Sequence, residues 1–378
     1  MALPHANWNY PTAIRFGAGR VAELPELCRS LGIARPLLVT DPAVAEMAMT
    51  KAIAAAGRFS AIHANPTGAD VEAGLSAYRG GAHDGVIAFG GGAALDVGKV
   101  VAFMSGQTRP LWDFEDREDW WTRADAAAIA PVIAIPTTAG TGSEVGRAGV
   151  ILDEAAGVKK IIFHPKMMPA AVILDPELTV GLPPHVTAAT GMDALSHCIE
   201  AYCAPGFHPM ADGIAAEGVA LIRRWLPRAV DEGSDLEARG NMLIAASMGA
   251  TAFQKGLGAM HALSHPIGAL AGTHHGLTNA VLMPYVLAFN RPAIEERIAR
   301  LAGFAGLEPS FDAFLAWIVD LRTQLGIPHT LAGLSIGREQ LERICAMAEE
   351  DPSAGGNPRP FGAAQAREVL EAALEGSV

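Results

Sequence analysis

Short runs that are apolar at nearly every position alternate with longer stretches of helical periodicity through the first half of the chain, and the alternation stops near residue 182. Residues 36–41 (Pro-Leu-Leu-Val-Thr-Asp), 84–90, 131–136 and 171–175 read as strands without an exposed face, the first closing on the polar Asp41. Residues 44–56 and 70–80 carry helical spacing between them. Apolar strands separated by helices predict a parallel, doubly wound sheet covered on both faces, which binds ligands at the carboxyl ends of its strands. After Leu182-Pro-Pro184 the strand signal disappears. Residues 211–225, 236–252, 280–289, 293–304, 310–325 and 364–374 all have helical periodicity in an Ala-, Leu- and Met-rich background. The expected organisation is an α/β nucleotide-binding domain over residues 1–182 and an all-α domain over residues 183–378.

Composition narrows the possibilities. With 378 residues, half of them hydrophobic and 18% charged, the chain is long enough for two packed cores and too apolar for disorder. A net charge of −12 argues against a nucleic acid or an anionic membrane as partner. The four cysteines (Cys28, Cys198, Cys203, Cys345) show no CxxC spacing, as expected for reduced thiols in the cytoplasm. The start of the chain shows no basic segment followed by an apolar run, and no uncharged run reaches membrane-spanning length.

Candidate chemistry concentrates in the second half. Gly-Met-Asp193-Ala-Leu-Ser-His197 and His261-Ala-Leu-Ser-His265 each place two ligand-type side chains four residues apart, on one helical face, and His274-His275-Gly follows. One carboxylate and several imidazoles from separate helices suit a borderline divalent ion such as Fe(II) or Zn(II). In the first half, Gly90-Gly-Gly-Ala-Ala-Leu-Asp96 follows a buried strand and opens a helix, so its N–H groups and helix dipole can receive a pyrophosphate. Pro136-Thr-Thr-Ala-Gly-Thr-Gly-Ser-Glu144, after another strand, interleaves hydroxyls with glycines in a manner suited to phosphate or ribose. Asp41 either accepts hydrogen bonds from an adenosine ribose, favouring NAD over NADP, or caps the helix that follows it.

Taken together and in order, these four motifs resemble the iron-containing (group III) alcohol dehydrogenases from about residue 10 to about residue 290. The resemblance implies metal ligation by Asp193, His197, His261 and His275, with His265 close to nicotinamide and substrate, where it is the candidate to relay a proton. It implies a pyrophosphate on Gly91, Gly92 and Ala93, and Asp96 on the nicotinamide side. Thr137, Thr138 and Ser143 would line the other side, Lys159 (or its neighbour Lys160) would contact the cofactor, and Leu178 would lie beside the adenosine. The implied activity is NAD(H)-dependent alcohol oxidation or aldehyde reduction at a metal, and the expected assembly is a homodimer. Three positions depart from the usual pattern: Ala93 stands for a Ser, Gln254-Lys255 for an Asn-Ala pair, and His274 for a Pro. Phe-Gln-Lys255-Gly-Leu-Gly258 with His274-His275-Gly looks most like the 4-hydroxybutyrate dehydrogenase branch, so Lys255 is expected to meet a substrate carboxylate. Two rivals remain: a metal-dependent dehydroquinate synthase-like cyclase or lyase on the same fold, and a non-catalytic binding protein. The Thr-rich loop and the Asp-x3-His pair favour the dehydrogenase, because the synthase group uses a Glu and two His.

Overall fold

The computed structural model describes residues 10–378 and separates into two compact units, Pro11–Gly181 and Leu182–Val378, with Tyr10 grouped with the second.

The first unit is the α/β one. Strands β1 (Ala13–Phe16), β2 (Pro36–Thr40), β3 (Gly57–Phe59), β4 (Gly85–Gly90), β5 (Val132–Pro136) and β8 (Ala171–Leu174) form a wholly parallel sheet in the order β1-β8-β5-β4-β2-β3. Helices α1 (Leu24–Ser30), α2 (Pro42–Ala45), α3 (Ala48–Lys51), α4 (Gly68–Gly80) and α5 (Gly92–Met104) intervene. The register sets up the site. Gly90 pairs with Pro136 and Thr40 with Phe89, so the chain leaves β2, β4 and β5 side by side, bringing Asp41, Gly91 and Thr137 to one edge. Leu38, Ile87, Phe89, Ile133, Ile135 and Ile173 pack with Leu24 and Leu27 beneath that edge. Three features depart from the sequence reading. The helix expected over 44–56 breaks into α2 and α3 because Met47 takes an extended conformation (ψ 149°). The short β1 and β3 join the sheet. β6 (Ala148–Asp153) and β7 (Val158–Phe163) form a separate antiparallel hairpin.

The second unit is all helical: α6 (Pro184–Cys203), α7 (Pro209–Asp231), α8 (Leu236–Ala252), α9 (Ala259–Ala271), α10 (His275–Phe304), α11 (Phe311–Gln324), α12 (Leu341–Glu349) and α13 (Ala363–Glu375). Every residue of α6 from Thr187 to Cys203 is buried, which makes it the central helix of the unit. The segments expected at 280–289 and 293–304 are one helix of 30 residues, α10, which runs through Pro284 and Pro292. Burial of most of its residues from Gly276 to Asn290 outweighs the hydrogen bonds those prolines remove. No helix among the described residues is long and apolar enough to cross a membrane.

Candidate active site

Three helices of the second unit meet at the acid–histidine cluster. α6 brings Asp193 and His197 on one face, α9 brings His261 and His265, and α10 begins at His275. One ligand atom each from Asp193, His261 and His275 lie within 4.8 Å of one another. The approach of α10 to α6 depends on Gly276, where an added Cβ would stand 2.3 Å from the Ala189 carbonyl and 2.9 Å from Asp193 Cβ. His197 sits just outside that trio. Its Nε2 is 4.0 Å from Asp193 Oδ1, and its ring stacks on His261 with centroids 4.8 Å apart.

The donor set fits a divalent ion. Asp193 Oδ1 is 3.6 Å from His275 Nε2, and two ligand atoms about 2.1 Å from a tetrahedral ion would be roughly 3.4 Å apart. The ring tautomers agree. Glu200 Oε2 lies 2.6 Å from His261 Nδ1 and can only accept, so the hydrogen is on Nδ1 and the Nε2 lone pair faces the cluster. Burial pulls the His261 pKa down, yet Glu200 and then Asp193 carry it above the ordinary histidine value. The Asn279 amide is also central. Its Nδ2 donates to Asp193 Oδ1 at 2.9 Å and lies 3.2 Å and 3.3 Å from Nε2 of His275 and His261, which share its second hydrogen. Asn279 Oδ1 is buried with no hydrogen-bond partner, the sort of orphan that an ion or a water explains.

The sequence reading missed both Glu200 and Asn279. Helical spacing could have found them: Glu200 is seven residues beyond Asp193, and Asn279 is four beyond His275. It also missed how α9 is held, for which no local signal exists. Gly258 provides no side-chain cap, and the first N–H groups of α9 are taken by distant side chains. Met260 N donates to Glu200 Oε1 at 2.7 Å, and Ala259 N donates to Asn357 Oδ1 at 3.2 Å. His265 Nδ1 lies 2.8 Å from Asp351 Oδ2. His274 serves as the N-cap of α10, accepting from Leu277 N.

Lys255, expected to meet a substrate carboxylate, is paired within the helical unit. Its side chain is 1% exposed, and its ammonium donates to Asp212 Oδ1 at 2.5 Å and to the Tyr202 carbonyl at 3.1 Å. The residue closes a 3-10 turn, Phe253–Lys255, before Gly256, whose φ of 143° redirects the chain. Its charge is thus paired with Asp212 of α7.

In the α/β unit the glycine-rich turn forms as expected. Gly90 has φ 149°, and an added Cβ there would meet Asp41 Oδ2 at 2.2 Å. Gly91 is the extended N-cap of α5, and no side chain of its own caps that helix. Gly91, Gly92 and Ala93 are partly exposed, so their backbone is accessible at the helix start. Asp41 does not cap its own helix α2. Instead its carboxylate reaches across and accepts the Gly91 N–H at 2.5 Å, and burial raises its pKa against the N–H groups of Gly91 and Ala94.

Asp96 fastens the neighbouring loop. Its Oδ1 accepts from Ser143 Oγ at 2.5 Å and pairs with Lys99, and its Oδ2 accepts from Val150 N at 3.0 Å. Thr137 is buried and donates its N–H to the Gly90 carbonyl, while Thr138 and Thr141 side chains stand against Gly91 and Gly92. Lys159 and Lys160 lie on β7. The Lys160 ammonium binds Asp153 at 2.8 Å. Leu178 is buried with the core residues under the sheet. All four cysteines are free and buried, and burial pushes Cys198 and Cys203 up to about 12, so neither is a reactive thiolate.

A glycine-rich helix start at the edge of a parallel sheet, and a carboxylate–imidazole donor set in a helical unit, define a metal- and dinucleotide-dependent enzyme. Residues 11–176 match the family model "Iron-containing alcohol dehydrogenase", and residues 187–374 match "Fe-containing alcohol dehydrogenase family, C-terminal". The chain thus belongs to the iron-containing alcohol dehydrogenase family, and with it to the NAD-dependent oxidoreductases that use a divalent metal. It is 40% identical to the 4-hydroxybutyrate dehydrogenase of Cupriavidus necator, over 97% of this chain and 99% of that one. It is 33% identical to the NAD-dependent methanol dehydrogenase of Bacillus methanolicus, over 97% and 100%. Among solved structures, a 1,3-propanediol oxidoreductase superposes with a TM-score of 0.91 at 31% identity, over 98% of this chain and 100% of that one. The sulfoacetaldehyde reductase of Bifidobacterium kashiwanohense, solved with NAD+, gives 0.88 at 30% identity over 98% and 99%. The expected family and fold are borne out, and these matches give no support to the cyclase alternative.

Proposed function

We propose that this protein is an NAD- and metal-dependent dehydrogenase of short ω-hydroxy acids, interconverting 4-hydroxybutyrate and succinic semialdehyde. One observation carries the substrate class: the end-to-end 40% identity to a 4-hydroxybutyrate dehydrogenase. The buried acid–imidazole cluster supports the chemistry. Bound NAD would supply the hydride acceptor, and a divalent ion would supply Lewis-acid polarisation of the substrate oxygen.

The chain's own residues do the rest. Asp193, His197, His261 and His275 are assigned to the metal, with Glu200 fixing the His261 tautomer and Asn279 orienting Asp193. The pyrophosphate lies against Gly91, Gly92 and Ala93 at the start of α5, with the N–H groups of Gly92 and Ala93 donating while Asp41 holds that of Gly91. Thr137, Thr138 and Ser143 line the neighbouring loop, which Asp96 holds. Asp41 faces the ribose, and Lys159 and Leu178 are further cofactor contacts. His265 takes the proton that leaves the alcohol. Lys255 has no part in holding the substrate carboxylate.

The test is NADH formation with 4-hydroxybutyrate and with 1-butanol, before and after chelation. The substrate class should show as a kcat/KM about tenfold or more higher for the acid, a difference on the order of 1.4 kcal/mol. Chelation should abolish turnover, and Fe(II) or Zn(II) should restore it. Equal rates on the two alcohols would overturn the substrate class; turnover that survives chelation would overturn the metal assignment.

A further inference from the structure

His265 is fixed differently from the other histidines of its cluster. His261 is held by Glu200 from α6, and His275 Nδ1 faces Ser264 Oγ of α9 at 3.3 Å. The partner of His265 comes from outside α6, α9 and α10. Asp351 precedes the short turn Pro352–Gly356, 86 residues further along the chain, and its Oδ2 lies 2.8 Å from His265 Nδ1. The two Asp351 oxygens divide their work. Oδ1 accepts the Ser353 N–H at 2.8 Å, which is all the turn requires of a cap, and Oδ2 is left for the imidazole. Asp351 and His265 side chains are 11% and 14% exposed, so water competes little for this contact. The His265 ring is fixed in plane as well, stacked on His275 at 5.4 Å and 12° and set edgewise to His261 at 5.8 Å.

A carboxylate only accepts, so the His265 hydrogen must sit on Nδ1 and the lone pair on Nε2. We infer that Asp351 is a positioning residue that acts through His265, locking it as the Nδ1–H tautomer so that Nε2 is the atom that accepts the proton released from the alcohol. This rests on the dehydrogenase reading above. It assigns a function to the C-terminal segment, where the sequence carries no catalytic motif. Asn357 in the same segment holds the N-terminus of α9, so the segment grips the His261–His265 helix at two points.

The tautomer can be read directly. Full-length protein labelled with 15N-histidine should give, at pH 8, a His265 imidazole with hydrogen on Nδ1 and a bare Nε2, the signal being assigned by its loss in His265→Gln. Asp351→Asn offers an amide that can donate to Nδ1, so the spectrum should show the other tautomer or a mixture. With it, kcat should fall about ten- to a hundredfold, the range for partners that orient a functional histidine, at unchanged KM for NAD and unchanged metal content. Asp351→Glu should restore the wild-type tautomer and part of kcat.

A hydrogen on Nε2 in the wild-type protein would overturn the inference. So would an Asp351→Asn variant that keeps both tautomer and kcat, or one that loses kcat only in proportion to lost metal. If Asp351→Asn does not fold, the wild-type spectrum and Asp351→Glu still decide. The tautomer is read without substrate, and kcat can be taken on whichever alcohol turns over best. A wrong substrate class therefore leaves this test intact.

Discussion

In the α/β unit, the groups at the edge where β2, β4 and β5 end are largely backbone: the N–H groups of Gly91, Gly92 and Ala93, and a turn that Gly90 alone can make at φ 149°. In the helical unit, the corresponding groups are side chains. Asp193, His261 and His275 converge because Glu200, Asn279 and Ser264 hold them by hydrogen bonds that span from 4 to 86 residues of chain. The contrast follows from the ligands. A pyrophosphate presents many equivalent oxygens to a row of amides, so strand register alone delivers the geometry. A metal ion demands a few atoms within tenths of an ångström, so each donor needs its own restraint. The prediction is that single substitutions should be severe in the helical unit and graded in the α/β unit.

The largest effect should come from His261→Ala. His261 is 1% exposed and supplies an imidazole whose other nitrogen is already committed to Glu200. Protein purified with about one Fe or Zn per chain should lose it in this variant, because three ligands hold a borderline cation poorly. Elemental analysis checks it. Full occupancy would remove His261 from the donor set and leave the contrast between the units without its strongest member.

Glu200→Gln comes next. Gln can still accept the Met260 N–H through its carbonyl oxygen, yet it removes the charge that holds His261 as an Nδ1–H donor. Metal affinity should fall about ten- to a hundredfold, as is usual when the partner of a ligating histidine is changed. Competition with a chelator of known affinity measures the shift. An affinity within twofold of wild type would mean that α9 alone fixes the ring.

What the chain disclosed in advance follows the same division. Strands β2, β4, β5 and β8 were legible because continuous apolar runs have few other uses, and the ligand pairs were legible because i,i+4 spacing puts both side chains on one face. β1 and β3 are too short to show a period. β7 reads Val-Lys-Lys-Ile-Ile-Phe, without clean alternation. The gap expected between residues 289 and 293 contains Pro292, which α10 nevertheless runs through because packing overrides it. Asp351 and Asn357 gave no signal, because a capping Asp or a buried amide looks like any other until the fold brings its partner to it. The pairing of Lys255 was hidden for the same reason: its chain neighbours are apolar, and the Asp212 beside it is 43 residues away.

A graded effect is expected at Asp41→Asn. The carboxylate accepts the Gly91 N–H, and an amide oxygen can take its place. What disappears is the negative charge proposed to face the ribose. The NAD-to-NADP ratio of kcat/KM should fall by about tenfold, with the metal content untouched, since one charge–charge contact near a surface is worth on the order of 1–2 kcal/mol. An unchanged ratio would reduce Asp41 to a fastener of the glycine turn.

The smallest effect on catalysis should be at Lys255→Met, and it is the sharpest check on which parts of the helical unit are site and which are scaffold. The side chain is 1% exposed, with Asp212 at 2.5 Å and Arg297 also 3.1 Å from Asp212. Removing the ammonium leaves Asp212, itself 26% exposed, with Arg297 still beside it. The cost should therefore fall below the 3–5 kcal/mol of a fully buried broken pair, at about 1–2 kcal/mol by denaturant unfolding. The pH dependence has a definite sign. Burial, only partly offset by Asp212, holds the Lys255 pKa below that of an ordinary lysine. Between its folded and unfolded values the unfolded chain binds the extra proton, so wild-type stability gains from this residue as pH rises through that alkaline window, and Lys255→Met should lose the gain. The ratio of kcat/KM for 4-hydroxybutyrate over 1-butanol should stay within about twofold of wild type, because the ammonium points to α7. A collapse of that ratio, at unchanged rates on the neutral alcohol, would return Lys255 to the substrate and show that its pairing with Asp212 yields when the carboxylate arrives.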